Sequence, residues 1–188
     1  MTKATAQGIV DAALETLKEE GFAGATSRAI ARRGGFNQAL IFYHHGSLEA
    51  LLLAALARTS EERLARYRDA VGGAGTLEEL IPTMVDLWEE DKAAGHVRVV
   101  SQVVAGSLNR RELARQVVEL MEPWIDLAEE TLARVLPEPL AARELAYGTV
   151  VFYLGVNLMT HLDADHERAD AMFRRARELA PLLQALRP

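Results

Sequence analysis

A chain of 188 residues with 49% apolar composition can bury a sizeable core, which excludes disordered and collagen-like classes. It has no cysteine, so disulfide frameworks, thiolate zinc sites and cysteine nucleophiles drop out, and a reducing compartment fits. The net charge of −6 is uneven: residues 1–47 hold five Lys or Arg against four acids, and the acidic excess lies entirely beyond them. A slightly basic head therefore precedes an acidic body, and Asp11 and Glu15 argue against a secretory signal at the start.

A 3.6-residue apolar period recurs along the chain, with no sustained alternation and no hairpin dipeptide, which predicts an all-α fold of about nine helices. The first is expected from about Ala4 to Glu20, with Ile9, Val10, Ala13, Leu14 and Leu17 on one stripe and Gly21 as its stop. Short helices follow at Ser27–Arg33 and Asn37–His44, and Ser47 caps a long one that ends at the GGAG of residues 72–75. Thr76 and Glu79 form a capping box for a helix to about Ala94; Gly95 breaks it, and the next covers Val97–Ser107. Asn109 and Glu112 have the spacing to cap a seventh, which Pro123 kinks or interrupts.

Pro137 and Pro139 precede a long apolar helix, Leu140–Leu162. Its last 18 residues carry no formal charge, the lower edge of a membrane span. Thr149, Asn157, Thr160, His161 and two glycines, with no flanking basic cluster, favour a helix buried among others, so the chain is read as soluble and cytoplasmic, without a membrane partner. The final helix repeats apolar residues at Ala169, Met172, Phe173, Ala176, Leu179, Ala180, Leu183 and Leu186, opposite Arg168, Arg174, Arg175 and Arg177, and Pro181 bends its end.

The window Thr26–Ser47 contains three arginines and no acid. It also has the parts of a helix-turn-helix: a small residue, Ala31, where two helices cross, Gly35 at the turn, and Ile30, Phe36 and Ile41 as apolar locks. Asn37 caps the second helix, whose N-terminus favours phosphate. With Ile41 inward, a 100° step turns Gln38, Ala39, Phe42 and Tyr43 outward and leaves Leu40 and His44 on the flanks. Gln38 can read adenine, and Ala39 or Leu40 can touch a thymine methyl. Tyr43, His44, Arg28 and Thr26 have donors for phosphate oxygens, and on this reading the window lacks acids because an acid there would face phosphate. His45, four residues after Ile41, is expected on the inward side as a partly buried structural residue.

Residues 5–56, above all "GFAGATSRAIARRGGFNQALIFYHHGSLEALLLAAL", closely resemble the DNA-binding domain of tetracycline-repressor-type (TetR family) transcription regulators. The family has a Gly-Tyr/Phe opening, a Thr/Ser-x-x-x-Ile-Ala helix, Gly-Val-Ser, a Leu-Tyr-x-His-Phe end and a Ser/Lys-Glu-x-Leu stretch. Phe42 stands where the family has a phosphate-contacting tyrosine, so that contact is lost or passes to Tyr43; His45 replaces a core phenylalanine. The resemblance implies a helix-turn-helix domain over residues 1–46 and a helical effector-binding and dimerisation domain over residues 47–188. It places DNA contact at Thr26, Ser27, Arg28, Asn37, Gln38, Ala39, Leu40, Phe42, Tyr43 and His44.

The resemblance further implies a homodimer through the last two helices, which Gly148 and Gly155, a heptad apart, and the apolar stripe of the final helix support independently. Two recognition helices on one duplex imply an inverted-repeat operator in double-stranded DNA. A small, mainly hydrophobic effector is expected to release it, with Met84, Trp88, Gln102, Met121, Trp124, Phe152, Tyr153, Asn157 and His161 as candidate pocket residues. Core packing explains most of these equally well, and Asn157 with His161 can equally be a hydrogen-bonded pair at a bundle seam.

A helical-bundle enzyme is disfavoured. His161, Asp165 and His166 lie close in sequence, but Glu-x-x-His pairs, a phosphate loop, Gly-x-Ser-x-Gly and His-Glu-x-x-His are all absent. His44 and His45 point about 100° apart and make no metal pair. Neither catalytic residues, a metal nor a cofactor is expected. A DNA-binding regulator without an effector remains the open alternative.

Overall fold

The computed structural model describes residues 5–137, 143–163 and 167–182. Every element among them is helical, in the order α1 (Ala6–Gly24), α2 (Ser27–Gly34), α3 (Ala39–His45), α4 (Leu48–Val71), α5 (Leu77–Ala93), α6 (His96–Ser107), α7 (Arg111–Glu119), α8 (Glu122–Val135), α9 (Arg143–Leu162) and α10 (Glu167–Leu179). No single described helix is long and apolar enough to cross a membrane. The expected starts at Ala4 and Leu140, Pro139, Asp165, His166, Leu183 and Leu186 lie outside the described residues.

The packing divides into two compact units. One holds the chain up to Glu61 together with Gly95–Leu120, and the other holds Glu62–Ala94 together with the chain from Met121. In the first unit α1 packs on α2, α3 and α6. Thr5 caps α1 by accepting the Gly8 N–H at 3.2 Å, and Ile9, Val10, Ala13, Leu14 and Leu17 all point into the core. Gly21 takes φ 70°, so the regular helix breaks there as expected, and one further turn carries the chain to Gly24.

Thr26 caps α2 through the Ala29 N–H at 3.2 Å, and Gly35 ends it with φ 66° while donating its N–H to the Ala31 carbonyl. The closest approach falls on Gly34. A Cβ there would lie 2.1 Å from the Phe36 ring and 3.1 Å from the Ala12 Cβ, so the turn folds onto α1 only because that position has no side chain. Asn37 Oδ1 accepts the Ala39 N–H at 2.9 Å and opens α3; Ser47 Oγ accepts the Ala50 N–H at 3.0 Å and opens α4.

α6 follows Gly95, which sits at φ 76°. Gln102 on α6 accepts the Phe22 N–H at 3.0 Å, filling the bond that the break at Gly21 leaves open. A Cβ on Gly106 would meet the Phe22 ring at 2.4 Å, and the Arg110 guanidinium lies 5.0 Å from that ring's centroid. These three contacts bind α6 and α7 to α1.

The expected seventh helix is two helices. Asn109 does not cap; the residue before α7 is Arg110, which makes no side-chain capping bond. Pro123 lies in the first turn of α8, where its missing N–H would have no helical partner anyway.

In the second unit α5 opens at Thr76, whose Oγ1 accepts the Glu79 N–H at 3.3 Å. The Glu79 carboxylate returns to the Gly75 N–H at 2.9 Å, one residue before the cap. Tyr67, Val71, Ala74, Leu80, Leu87 and Leu127 form a core, with Met84 and Trp124 packed against it. α5 and α10 meet through the Trp88 and Phe173 rings, 4.4 Å between centroids, flanked by the Lys92–Asp170 pair at 2.7 Å and the Arg177–Asp86 pair. α8 and α9 are tied by Arg143, which pairs with Glu122, Asp126 and Glu129 at 2.7–2.9 Å.

Candidate nucleic-acid interface

α3 is a short amphipathic helix with one anchor. Ile41 is 0% exposed, and around it Gln38, Ala39, Phe42 and His44 are exposed, Leu40 is half-buried and Tyr43 is 81% exposed. Tyr43 and His44 touch edge to face, with centroids 4.9 Å apart. α3 thus holds two large aromatic side chains, Phe42 and Tyr43, out of the core on a face with no acid. His45 is half-buried as expected, and its buried Nε2 has no hydrogen-bond partner among the described residues.

The electrostatics of the window differ from the expectation in one respect. Arg33 is paired with both Glu19 and Glu20, the latter at 3.6 Å, and Arg32 lies 3.7 Å from Glu20. Two of the three arginines are thus balanced by acids of α1 and brace α2. Among the described residues Arg28 has no ion-pair partner; it is exposed, as is Thr26, although Thr26 Oγ1 already accepts the capping N–H. Ser27 is half-buried and Asn37 is exposed with its side-chain oxygen turned to the backbone.

The candidate pocket residues fall in both packing units. Gln102 belongs to the first unit, where its amide oxygen is engaged by Phe22. Phe152 is 56% exposed on the outer side of α9. Trp88 is buried against Phe173, with no hydrogen-bond partner for its Nε1 among the described residues, and Met121 is half-buried at the start of α8. Asn157 is fully buried and donates Nδ2 to the Tyr153 carbonyl at 2.6 Å, while the His161 side chain lies outside the described residues. Among the described residues, no three His, Asp or Glu side chains converge on a point where a metal ion could sit.

Tyr153 and Trp124 do come together, around residues that sequence reasoning missed. Asp91 on α5 is 0% exposed and accepts from Arg63 Nε at 2.7 Å, from Tyr67 at 2.8 Å, from Tyr153 at 3.1 Å and from Arg66. Arg63 also donates to the Tyr153 hydroxyl at 2.8 Å. Burial alone would lower the Arg63 pKa, but Tyr153 and Asp91 outweigh it and raise it, so the guanidinium stays charged. Burial, with Tyr153 and Asp91 adding to it, pushes the Tyr67 hydroxyl above the ordinary tyrosine range, and burial likewise raises Tyr153. The signal was present in the sequence: Leu52, Leu56, Thr59, Arg63, Tyr67 and Val71 follow the inward spacing of α4, and all are buried.

The fold and the head together define a helix-turn-helix protein with a helical body. The model of bacterial regulatory proteins of the tetR family matches residues 9–55. The transcriptional regulator BetI of Stenotrophomonas maltophilia is 31% identical over 146 residues, covering 73% of this chain and 74% of that protein. The chain belongs to the tetR family. The regulator UidR of Escherichia coli K12 is 28% identical over 106 residues, 56% of this chain, and the match spans only 53% of UidR. The fold is similar to a transcriptional regulator from Saccharomonospora viridis solved in complex with choline, with TM-score 0.74, 19% identity, and 93% and 94% of the two chains covered.

Proposed function

We propose that the chain is a cytoplasmic, homodimeric, sequence-specific DNA-binding regulator, a repressor released from an inverted-repeat operator by a small, mainly hydrophobic effector. Residues 1–46 form the reading head and residues 47–188 the effector-binding and dimerising body, a division of function that need not follow the packing units. The observation that carries the reading is the outer face of α3, where Gln38, Ala39, Phe42, Tyr43 and His44 stand exposed around the buried Ile41, with exposed Arg28 on the preceding helix. Gln38, Ala39 and Leu40 read bases, while Thr26, Ser27, Arg28, Asn37, Phe42, Tyr43 and His44 position the helix on the backbone.

Dimerisation is supported by α9. Leu145, Gly148, Phe152, Gly155, Met159 and Leu162 recur at steps of three and four, and the large side chains among them are all exposed. A Cβ on either glycine would meet nothing within 4 Å. On α10, Met172 and Leu179 are exposed as well, as is Leu182 just beyond its end. A stripe of this kind is the seam of a coiled-coil-like interface, and the glycines let a second copy's helix approach closely. A small-molecule effector is supported by the choline in the similar structure.

The test is selection of bound sequences from random duplex DNA at about 150 mM salt, where non-specific phosphate binding is weakened. One inverted repeat, with half-sites about 10 bp apart or a multiple of that, is the expected recovery. Recovery of nothing above background by folded, dimeric protein overturns the reading.

A further inference from the structure

The polar cluster of the second unit has the parts of a receptor, and the part it would receive is already present. The Arg63 guanidinium carbon lies 5.0 Å from the Trp124 ring centroid and 5.6 Å from those of Tyr67 and Tyr153. Each ring is within cation–π range. The Tyr67 and Trp124 rings meet edge to face at 5.1 Å, and Tyr67 and Tyr153 at 6.5 Å, so the three form walls rather than a stack. Asp91 supplies a fully buried carboxylate beside them. Aromatic walls around a point of positive charge, with an acid at hand, are the arrangement that recognises alkylammonium groups. Here the group enclosed is a side chain of the same molecule.

We propose that Arg63 is an internal stand-in for the effector's head group. The effector carries a compact organic cation, of quaternary-ammonium size, that displaces the guanidinium from the box of Tyr67, Trp124 and Tyr153. This rests on the reading of the body as effector-binding and assigns the effector its charge.

Three observations favour a cation over an anion. Displacing Arg63 breaks its bonds to Asp91 and Tyr153 whatever enters, but an anion would then sit beside the Asp91 charge. A cation restores beside Asp91 a charge of the same sign as Arg63, and the Tyr67 and Tyr153 hydroxyls still donate to the carboxylate. When Arg63 departs, Asp91 keeps the Arg66 guanidinium, whose side chain is 36% exposed and reaches the acid from the rim. The carboxylate is therefore never stranded, which would otherwise make the exchange prohibitive.

The exchange also has a consequence for α4. Arg63 ties this helix to Asp91 on α5 and Tyr153 on α9 and lies against Trp124 on α8. The same helix begins three residues after α3 ends, and its residues up to Glu61 pack with the head unit. A ligand that takes the place of Arg63 removes its bonds to Asp91 and Tyr153 and its contact with Trp124, and leaves α4 held to Asp91 by Arg66 and Tyr67. That is a differential contact of the kind an effector needs in order to shift an equilibrium.

The test uses the full-length protein without DNA and reads thermal unfolding and calorimetric titration. The probes are tetramethylammonium chloride, sodium chloride at equal ionic strength, and tert-butanol as a neutral molecule of similar size. Wild type should bind tetramethylammonium and not tert-butanol. Arg63→Ala, which removes the internal competitor, should bind it at least tenfold more tightly and should also be stabilised by methylguanidinium, the fragment the substitution deletes. Trp124→Leu should bind at least tenfold more weakly than wild type.

If Arg63→Ala does not fold, the comparison of wild type with Trp124→Leu still decides. Absence of any tetramethylammonium effect above both controls overturns the proposal. So does stabilisation of wild type by hexanoate that Arg63→Ala abolishes, since the guanidinium would then be the receptor for an anion. Because no DNA is present, failure of the operator reading leaves this result standing, and failure here leaves sequence-specific DNA binding untouched.

Discussion

At the scale of single residues, Ile41 fixes what the rest of α3 can do. Its complete burial turns Gln38 and Tyr43 outward, and Asn37 sets the start of the helix, so no freedom remains in which side chains face outward. Gln38→Ala should relax base preference at one position per half-site, at about 1–3 kcal/mol, leaving other positions unchanged. Arg28→Ala should weaken all sequences alike and lower the salt slope by about one for each head. Anisotropy titrations on operator variants over a salt series separate the two; equal weakening on every sequence by both substitutions contradicts the division of roles. The outward placement of Gln38 and Tyr43 was legible because it follows from helical spacing around one apolar anchor. The pairing of Arg32 and Arg33 with Glu19 and Glu20 was not, because it depends on how α2 crosses α1.

The buried tyrosines lend themselves to a pH experiment. Tyr67 and Tyr153 have pKa values raised by folding, so their contribution to stability is complete below about pH 10, where tyrosines of the unfolded chain begin to ionise. Above that, the unfolded chain releases protons that the folded chain retains, and stability falls by about 1.4 kcal/mol per pH unit for each tyrosine. Tyr67→Phe should remove about one such increment from the slope of urea-unfolding stability between pH 10 and 11. An unchanged slope would mean that Tyr67 ionises normally in the fold.

At the scale of elements, caps and breakers were readable and long-range braces were not. Thr26, Ser47 and Thr76 all act as caps, because capping is a contact across two or three residues. Asn37 instead accepts the Ala39 N–H from one residue before the cap position, which Gln38 fills without a side-chain bond. Asn109 has the right spacing and does not cap, and α7 stops at Glu119 before Pro123 begins a new helix. The attachment of α6 to α1 through Gln102 and Phe22 joins residues 80 apart, with no local pattern to announce it. The same is true of Arg63 and Asp91, 28 residues apart on different helices.

α9 gives a prediction that separates a seam from a solvent face. Gly155→Ala adds a methyl where nothing lies within 4 Å and improves helix propensity by about 1 kcal/mol, so the isolated chain should not suffer. A second copy packed on that stripe would meet the methyl, at a cost of about 1–3 kcal/mol to association. Sedimentation equilibrium should show the dimer weakened by Gly155→Ala and abolished at micromolar concentration by Phe152→Glu, with helical content retained. Unchanged association in both variants would exclude α9 from the interface.

At the scale of the whole molecule, the head was legible as a local motif, while the arrangement of the body was not. The all-helical plan, the kink at Gly21 and the turn at Gly35 were each dictated within a few residues. How α6 and α7 come to pack with the first unit, and which body residues gather around Asp91, depends on contacts between distant segments. The amphipathic stripes show that helices bury a face, but not which helix buries it.

The account stands on two identical heads reading two half-sites, and one titration tests that most directly. Wild-type protein is titrated at about 150 mM salt against the inverted repeat recovered by selection, intact and with one half-site scrambled. The account predicts that scrambling weakens binding by at least about a thousandfold, towards the non-specific level. Equal affinity for the two duplexes would mean that a single head does all the reading, and would contradict the dimeric regulator.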